Sequence, residues 1–218
     1  MYKVAQCWDD GVATDTIVAE LCRKYNAKAT FNLNPGLNAR AMRVFGWEYD
    51  GFRVIRLSLS EMPSVYDGFQ LASHTMHHLD AAAVTADEFR RDAADARKYI
   101  EDVWQREARG FAWPYGNYND SCIAALRADG FIYGRTVENA ADILSGGEPL
   151  ALPSHCHFLN PDIDVIRAAA RKTGRFYFWG HSYEMKDDPA LAKRYENLLA
   201  AIAADPEAEW ADVAELLS

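Results

Sequence analysis

The sequence has no apolar run long enough to cross a bilayer, which argues against a membrane-spanning helix. Its first residues, MYKVAQCW, contain no basic n-region, no long apolar stretch and no small-residue cleavage site. No C-x-x-C pair and no zinc-finger spacing connects the four cysteines, Cys7, Cys22, Cys122 and Cys156, which read as small buried hydrophobes. Together these features set the expectation of a cytoplasmic protein. An excess of cations is also missing. The formal net charge is -9, which argues against a nucleic-acid backbone as the main partner. Repeats, long linkers and low-complexity segments are absent too. What remains is a 218-residue chain, 50% hydrophobic and 25% charged, long enough for one sizeable core.

Strand and helix signals alternate along this chain. YKVAQCW reads as a short buried strand. TDTIVAELCRKYN has Thr14 as a cap candidate and Ile17, Val18, Leu21 and Cys22 at helical spacing. KATFNLN alternates and stops at Pro35 and Gly36. Two apolar-aromatic runs flank YDG, which predicts a hairpin near 43–58 outside the main layer. FQLAS is a strand. Residues 85–109 form a long amphipathic helix opened by a capping box at Thr85 and Glu88. GFAW, FIYGRTV and RFYFWG are further strands, separated by the helices in YNDSCIAALRADG and PDIDVIRAAARKTG. A helix in DPALAKRYENLLAAIAAD and a last short one in WADVAELL complete the chain. This alternation predicts an α/β fold, a parallel sheet of about seven strands that could close into a barrel. Chemistry then belongs at the C-terminal strand ends, where Asp9, Asp10, His74, Tyr115 and His181 all fall.

Two adjacent carboxylates at one strand end, Asp9 and Asp10 in CWDDG, need a positive charge to offset them. SHTMHH offers imidazoles at His74, His77 and His78, and a pair four apart can share one face of a helical turn. One carboxylate and two imidazoles suit a catalytic divalent ion with positions left open. Spacing alone leaves the choice between His77 and His78 open. His155 and His157 alternate on an extended segment, with Cys156 pointing away from both.

With these residues in view, the chain resembles the polysaccharide deacetylase family, also called the NodB-homology family or carbohydrate esterase family four. CWDDG is similar to its first motif, T-F-D-D-G. HTMHH resembles its second, H-[ST]-x-x-H, which selects His74 and His78. FAWPYG resembles the third, R-x-P-[FY], and FWGHSYE resembles the final histidine motif. Each motif alone is weak; the ordered set, from Cys7 to Glu184, is specific.

The resemblance implies a distorted, incomplete (β/α) barrel, with residues 1–218 forming one deacetylase domain. It implies metal-dependent removal of an acyl group from an amino sugar. Asp10, His74 and His78 would bind the metal, most often zinc. Asp9 would be the general base, the Tyr115 backbone N–H an oxyanion donor and His181 the general acid. Trp8, Trp113 and Trp179 are candidate sugar-stacking walls, and Glu184 a candidate to orient His181 or a substrate amine. Two departures from the family pattern stand out. Ala112 occupies the position of the third motif's arginine, and Arg135 in FIYGRTV is the candidate replacement beside Asp9. The acidic motif that orients the histidine is not visible, leaving Asp162 and Asp164 as weak substitutes. The expected partner is a carbohydrate or glycan precursor, with a nucleotide- or lipid-linked amino sugar favoured by the expected location. A non-sugar amide, or a non-catalytic relic of the fold, are the alternatives.

Overall fold

The computed structural model describes residues 1–217. In chain order the elements are β1 (Tyr2–Asp9), α1 (Asp15–Lys24), β2 (Thr30–Leu33), β3 (Val44–Tyr49), β4 (Phe52–Arg56) and α2 (Met62–Val65). Then come β5 (Gln70–Ser73), α3 (Ala86–Trp104), β6 (Gly110–Ala112), α4 (Asp120–Ala128) and β7 (Tyr133–Asn139). The last are β8 (Leu152–Ser154), β9 (Cys156–His157), α5 (Ile163–Ala170), β10 (Arg175–Gly180), α6 (Pro189–Ala203) and β11 (Ala208–Trp210).

The main sheet runs β8-β7-β6-β5-β2-β1-β10-β9, and every pair in it is parallel. Its two end strands are separated in sequence only by His155, whose N–H donates to the Tyr177 carbonyl at 2.8 Å. The segment 152–157 is therefore one split strand, paired with β7 on one side and β10 on the other. The path thus comes back nearly on itself as a barrel. Counting the split strand once leaves seven strands around it, the expected number. β11, which the sequence reading did not foresee, adds a short parallel edge beside the start of β1.

Local chemistry explains most boundaries. The capping box of α3 is present, with Thr85 accepting from the Glu88 N–H and Glu88 reaching back. Phe89, Ala93, Ala96 and Ile100 form its buried stripe. The helix stops before 109 because Gln105 turns left-handed, at φ 53°. Thr14 does not cap α1; its hydroxyl meets that of Ser182 at 2.8 Å. Asp15 takes up the loop before the helix instead, accepting from the Val12 N–H at 3.2 Å.

β3 and β4 form a separate antiparallel hairpin, turned at Asp50 and Gly51 with φ 46° and 77°. It docks on the loop after β1 through Val12 and Arg56 and through the Ala13 N–H to the Ile55 carbonyl, 2.7 Å. Strand alternation sorts β1 into two faces. Val4 and Trp8 pack with the large cluster beneath α1, α5 and α6, while Ala5 and Cys7 pack with Tyr133, Leu152 and Tyr177 from other strands. The second face is the barrel interior, and Asp9 follows Cys7 on it.

Candidate active site

The chain leaves β1 through two left-handed residues, Asp10 at φ 87° and Gly11 at φ 66°. Glycine adopts this freely; for an aspartate it costs roughly 1–3 kcal/mol. The turn holds Asp10 beside Asp9 at the strand end. Three contacts hold that strained turn. Asn34 Nδ2 donates to Asp10 Oδ1 at 3.0 Å, and Arg56 Nη1 donates to the Asp10 carbonyl at 2.9 Å and to Asn34 Oδ1 at 2.7 Å. Asp15 lies behind, accepting from Tyr66 at 2.6 Å and from Ser182 at 2.5 Å, with burial pushing its carboxyl up to about 7.

Asp9 is buried and held at both oxygens, with acceptor capacity left toward the cavity. Asn32 Nδ2 donates to its Oδ1 at 2.7 Å, and Arg135 forms an ion pair with its Oδ2. Burial alone would raise the Asp9 carboxyl. The Arg135 guanidinium, helped by His74, His181 and Asn32, outweighs burial and holds it well below the usual carboxylate range. Arg135 is the cross-strand neighbour of Ala112 in the β6–β7 register. The guanidinium is thus supplied one strand away from the position the family pattern uses.

His74 Nδ1 lies 2.8 Å from the Ala112 carbonyl, which can only accept. The proton therefore sits on Nδ1, and Nε2 faces Asp10 Oδ1 at 3.9 Å. His78 Nε2 lies 3.7 Å from the same oxygen. One ligand atom from each of Asp10, His74 and His78 falls within a 4.8 Å set. The two imidazoles do not share a helical turn, as their spacing suggested. Left-handed residues at Thr75 (φ 57°) and His78 (φ 56°) fold the segment back and bring the rings to 4.7 Å. Burial lowers both histidines, His78 to about 4 with His74 as the next cause, so both favour the neutral form a metal requires. His77 turns toward α3, with Nδ1 2.7 Å from Asp92.

Across the cavity, His181 Nε2 lies 3.8 Å from Asp9 Oδ2 and 4.0 Å from Asp10 Oδ2. Its Nδ1 faces Glu184 Oε1 at 3.3 Å. Burial would lower His181, but Glu184, Asp9 and Asp10 raise it to about 8. Glu184, despite burial, is held down to about 2 by His157 and His181. His157 Nδ1 accepts the Leu159 N–H at 3.2 Å, which leaves the proton on Nε2, 2.8 Å from Glu184 Oε2.

Asp9, Asp10, His74, His78, Arg135 and His181 open onto one cavity of about 530 Å³, walled by Leu37, Trp47, Trp113, Tyr115, Val137, Trp179 and Tyr183. Tyr115 sits at its mouth on a left-handed backbone, φ 59°, 65% exposed, its ring 4.5 Å from that of His78. Trp179 lies at the wall beneath the Arg135 guanidinium, 4.3 Å from it.

Several expectations are corrected. Trp8 does not reach the cavity, because strand alternation puts it on the face opposite Asp9, against Phe158 and Tyr195. Trp113 offers only an edge, being stacked on Phe89 and donating to the Leu150 carbonyl at 2.7 Å. Of the two roles considered for Glu184, its place behind His181 and away from the cavity lining favours orienting His181 over contacting a substrate amine. Asp162 and Asp164 lie at the start of α5, and Glu184 occupies the position beside His181 considered for them. His155 is buried and accepts the Tyr177 N–H at the barrel seam. Sequence reasoning missed Asn32, Asn34, Arg56, Trp47 and Tyr183. For Trp47 the aromatic hairpin was a usable signal. Asn32, Asn34 and Tyr183 lie at or just past C-terminal strand ends, where the chemistry was expected, and for Arg56 there was no signal.

A carboxylate, two imidazoles, a base candidate and an acid candidate thus surround one cavity of a (β/α) barrel. The chain belongs to the polysaccharide deacetylase family, whose model matches residues 2–134. That span contains Asp9, Asp10, His74, His78 and Tyr115; Arg135, His181 and Glu184 lie beyond it. A putative polysaccharide deacetylase, YxkH, of Bacillus subtilis is 27% identical over 74 residues, 34% of this chain and 26% of the relative. A peptidoglycan-N-acetylglucosamine deacetylase of Bacillus cereus is 28% identical over 114 residues, 52% of this chain and 46% of the relative. The chain thus spans less than half the length of these curated relatives. Among solved structures, a family 4 acetyl xylan esterase from Clostridium thermocellum with a cobalt ion shares the fold at TM-score 0.62 and 16% identity, covering 99% of this chain and 90% of that one. A family pseudoenzyme from Bacillus anthracis does so at TM-score 0.62 and 13% identity, covering 100% and 66%.

Proposed function

We propose that this protein is a metal-dependent hydrolase that removes an N-acetyl group from an amino sugar. One observation carries the reading: the Asp10, His74 and His78 donor atoms open onto the same cavity as the Asp9 carboxylate and His181 Nε2. The donor set fits a divalent ion, because its imidazoles favour the neutral form and its outer partners, the Ala112 carbonyl and Asn34, are in place. Asp10, His74 and His78 would hold the ion, zinc by their chemistry, which would polarise the amide carbonyl and acidify water.

The chain's own groups supply the rest. Asp9 stays ionised and accepts the proton of the attacking water at its carboxylate. The Tyr115 backbone N–H at the cavity mouth is the proposed oxyanion donor. His181, protonated near neutrality, delivers its Nε2 proton to the departing amine. Glu184 and His157 hold that ring from behind. The same proposal includes a cytoplasmic location, supported by four free buried cysteines.

Turnover of N-acetylated sugars by zinc-loaded protein tests the function, and failure on every amide while the metal is held would favour a binding role. Alanine at Asp10, His74 or His78 is expected to abolish stoichiometric zinc, whereas His77→Ala keeps it. Metal analysis of the purified variants decides, and zinc lost only in the His77 variant overturns the ligand set. His181→Ala is expected to cost about a hundredfold or more on amides. With an activated ester, whose leaving group needs no proton, the penalty shrinks. Wild-type turnover of amides is expected to fall as pH rises through about 8, where His181 loses its proton. Equal penalties on ester and amide would remove His181 as the acid.

A further inference from the structure

Arg56 is the charged residue of the cavity wall that the proposed chemistry does not use. It is 6% exposed and lines the cavity beside Asp10. Its hairpin carries it there, since β4 ends at Arg56 and bridges to Val12 in the loop after Asp10. The guanidinium lies 5.0 Å from the centre of the Trp47 ring.

The other charged groups of the site have direct side-chain partners. Asp9 is met by Arg135, and Glu184 by His181 and His157. The Asp10 carboxylate faces His74 and His78. Arg56 meets only neutral oxygens, the Asp10 carbonyl and Asn34 Oδ1, and both bonds come from Nη1. Nε and Nη2 make no hydrogen bond among the described residues, and Arg56 forms no ion pair with a carboxylate there. A guanidinium presents five donors and stays charged; the Asp10 and Asp15 carboxylates act on Arg56 through space but neither bonds to it, so its unused donors carry a desolvation cost that an acidic ligand would offset.

We propose that Arg56 recognises an oxyanion on the substrate, a carboxylate or a phosphate, so that the preferred amino sugar is an acidic one. This deepens the deacetylase reading and rests on it. Because Arg56 Nη1 already reaches the Asp10 backbone, the oxyanion sits close to the reacting amide, on the same sugar ring or on its immediate substituent. The planar fork of Nε and Nη2 matches two oxygens of either group. Hydrogen bonds to charged groups of this kind correspond to roughly ten- to a hundredfold in affinity. The test cannot be overall activity of an Arg56 variant, since the same side chain steadies the Asp10 turn. The readout is a ratio.

The experiment compares three probes: neutral N-acetylglucosamine, N-acetylglucosamine 1-phosphate and N-acetylmuramic acid, whose acid is a carboxylate. Binding is measured by calorimetry and turnover by amine release, for wild type, Arg56→Lys and Arg56→Met, each checked for zinc content and melting temperature. Wild type is expected to prefer one or both acidic probes by about ten- to a hundredfold. Whichever acidic probe wins identifies the group. Arg56→Met should bring acidic and neutral probes to parity, and Arg56→Lys should keep part of the preference. Equal handling of all three by wild type overturns the proposal. So does a preference that survives Arg56→Met, which would place the anion on the metal or elsewhere. Absence of turnover on every probe counts against the deacetylase reading, while the binding ratio still decides the role of Arg56.

Discussion

Replacing Asp9 by asparagine is expected to lower turnover of an N-acetylated sugar by about a hundredfold or more while zinc content stays at the wild-type level. The two adjacent aspartates invite this separation. Asp10 shares its oxygens with Asn34, His74 and His78, and Asp9 with Asn32, Arg135 and His181. An asparagine at 9 keeps an oxygen for Asn32 Nδ2 but has no carboxylate to take a proton. It also leaves the buried Arg135 without a counter-charge, at a cost of up to about 3–5 kcal/mol of stability. Rates must therefore be read well below the melting temperature of the variant. The discriminating pair of measurements is zinc stoichiometry and rate. Loss of zinc together with rate would make Asp9 a ligand, and retention of both would remove it as the base.

Much of this site was legible in the sequence because its parts are local. DDG, H-x-x-x-H and the distal histidine each lie at a strand end. A parallel barrel brings such ends to one rim, whatever their separation along the chain. The position of Trp8 was legible too, since period-two alternation separates it from Asp9, although proximity in sequence suggested otherwise. Glu184 lay three residues from His181 and could be named as a residue to orient it, but its second partner, His157, could not. That pairing depends on the split strand at 152–157 bringing His157 beside β10, a consequence of barrel closure. Arg56 was illegible for a similar reason. The hairpin was visible as an excursion, but nothing in its sequence says that it folds back onto the loop after Asp10. Nor does spacing reveal that left-handed turns at Thr75 and His78, rather than a helix, bring the imidazoles together.

Arg135 shows the opposite case, a tertiary contact that strand order made readable. The family pattern places an arginine where this chain has Ala112, and the next strand offers one near its C-terminal end. The register pairs the two positions directly, and the guanidinium reaches Asp9. Arg135→Leu is expected to destabilise the fold by about 3–5 kcal/mol, because it leaves Asp9 buried without its cation. It is also expected to move the acidic limb of the pH–rate profile upward. In wild type the Asp9 carboxyl is held below its ordinary range, so its folded-state stabilisation is present above about pH 4 and is lost only as pH falls through the depressed value. Without Arg135, burial dominates and Asp9 takes up its proton at higher pH. Zinc content should be unchanged, since Arg135 touches no ligand atom of the Asp10 set. A sharper form moves the charge rather than removing it. In Arg135→Ala combined with Ala112→Arg, the guanidinium returns to the register-paired position on β6. If charge beside Asp9 is what matters, the double variant should recover part of the lost acidic limb that Arg135→Ala alone forfeits. Recovery depends on the added volume fitting at Ala112, whose carbonyl holds His74, so zinc content of the double variant is the control. An acidic limb that does not move in Arg135→Leu would show that Asp9 owes its ionisation to the histidines and the metal site instead.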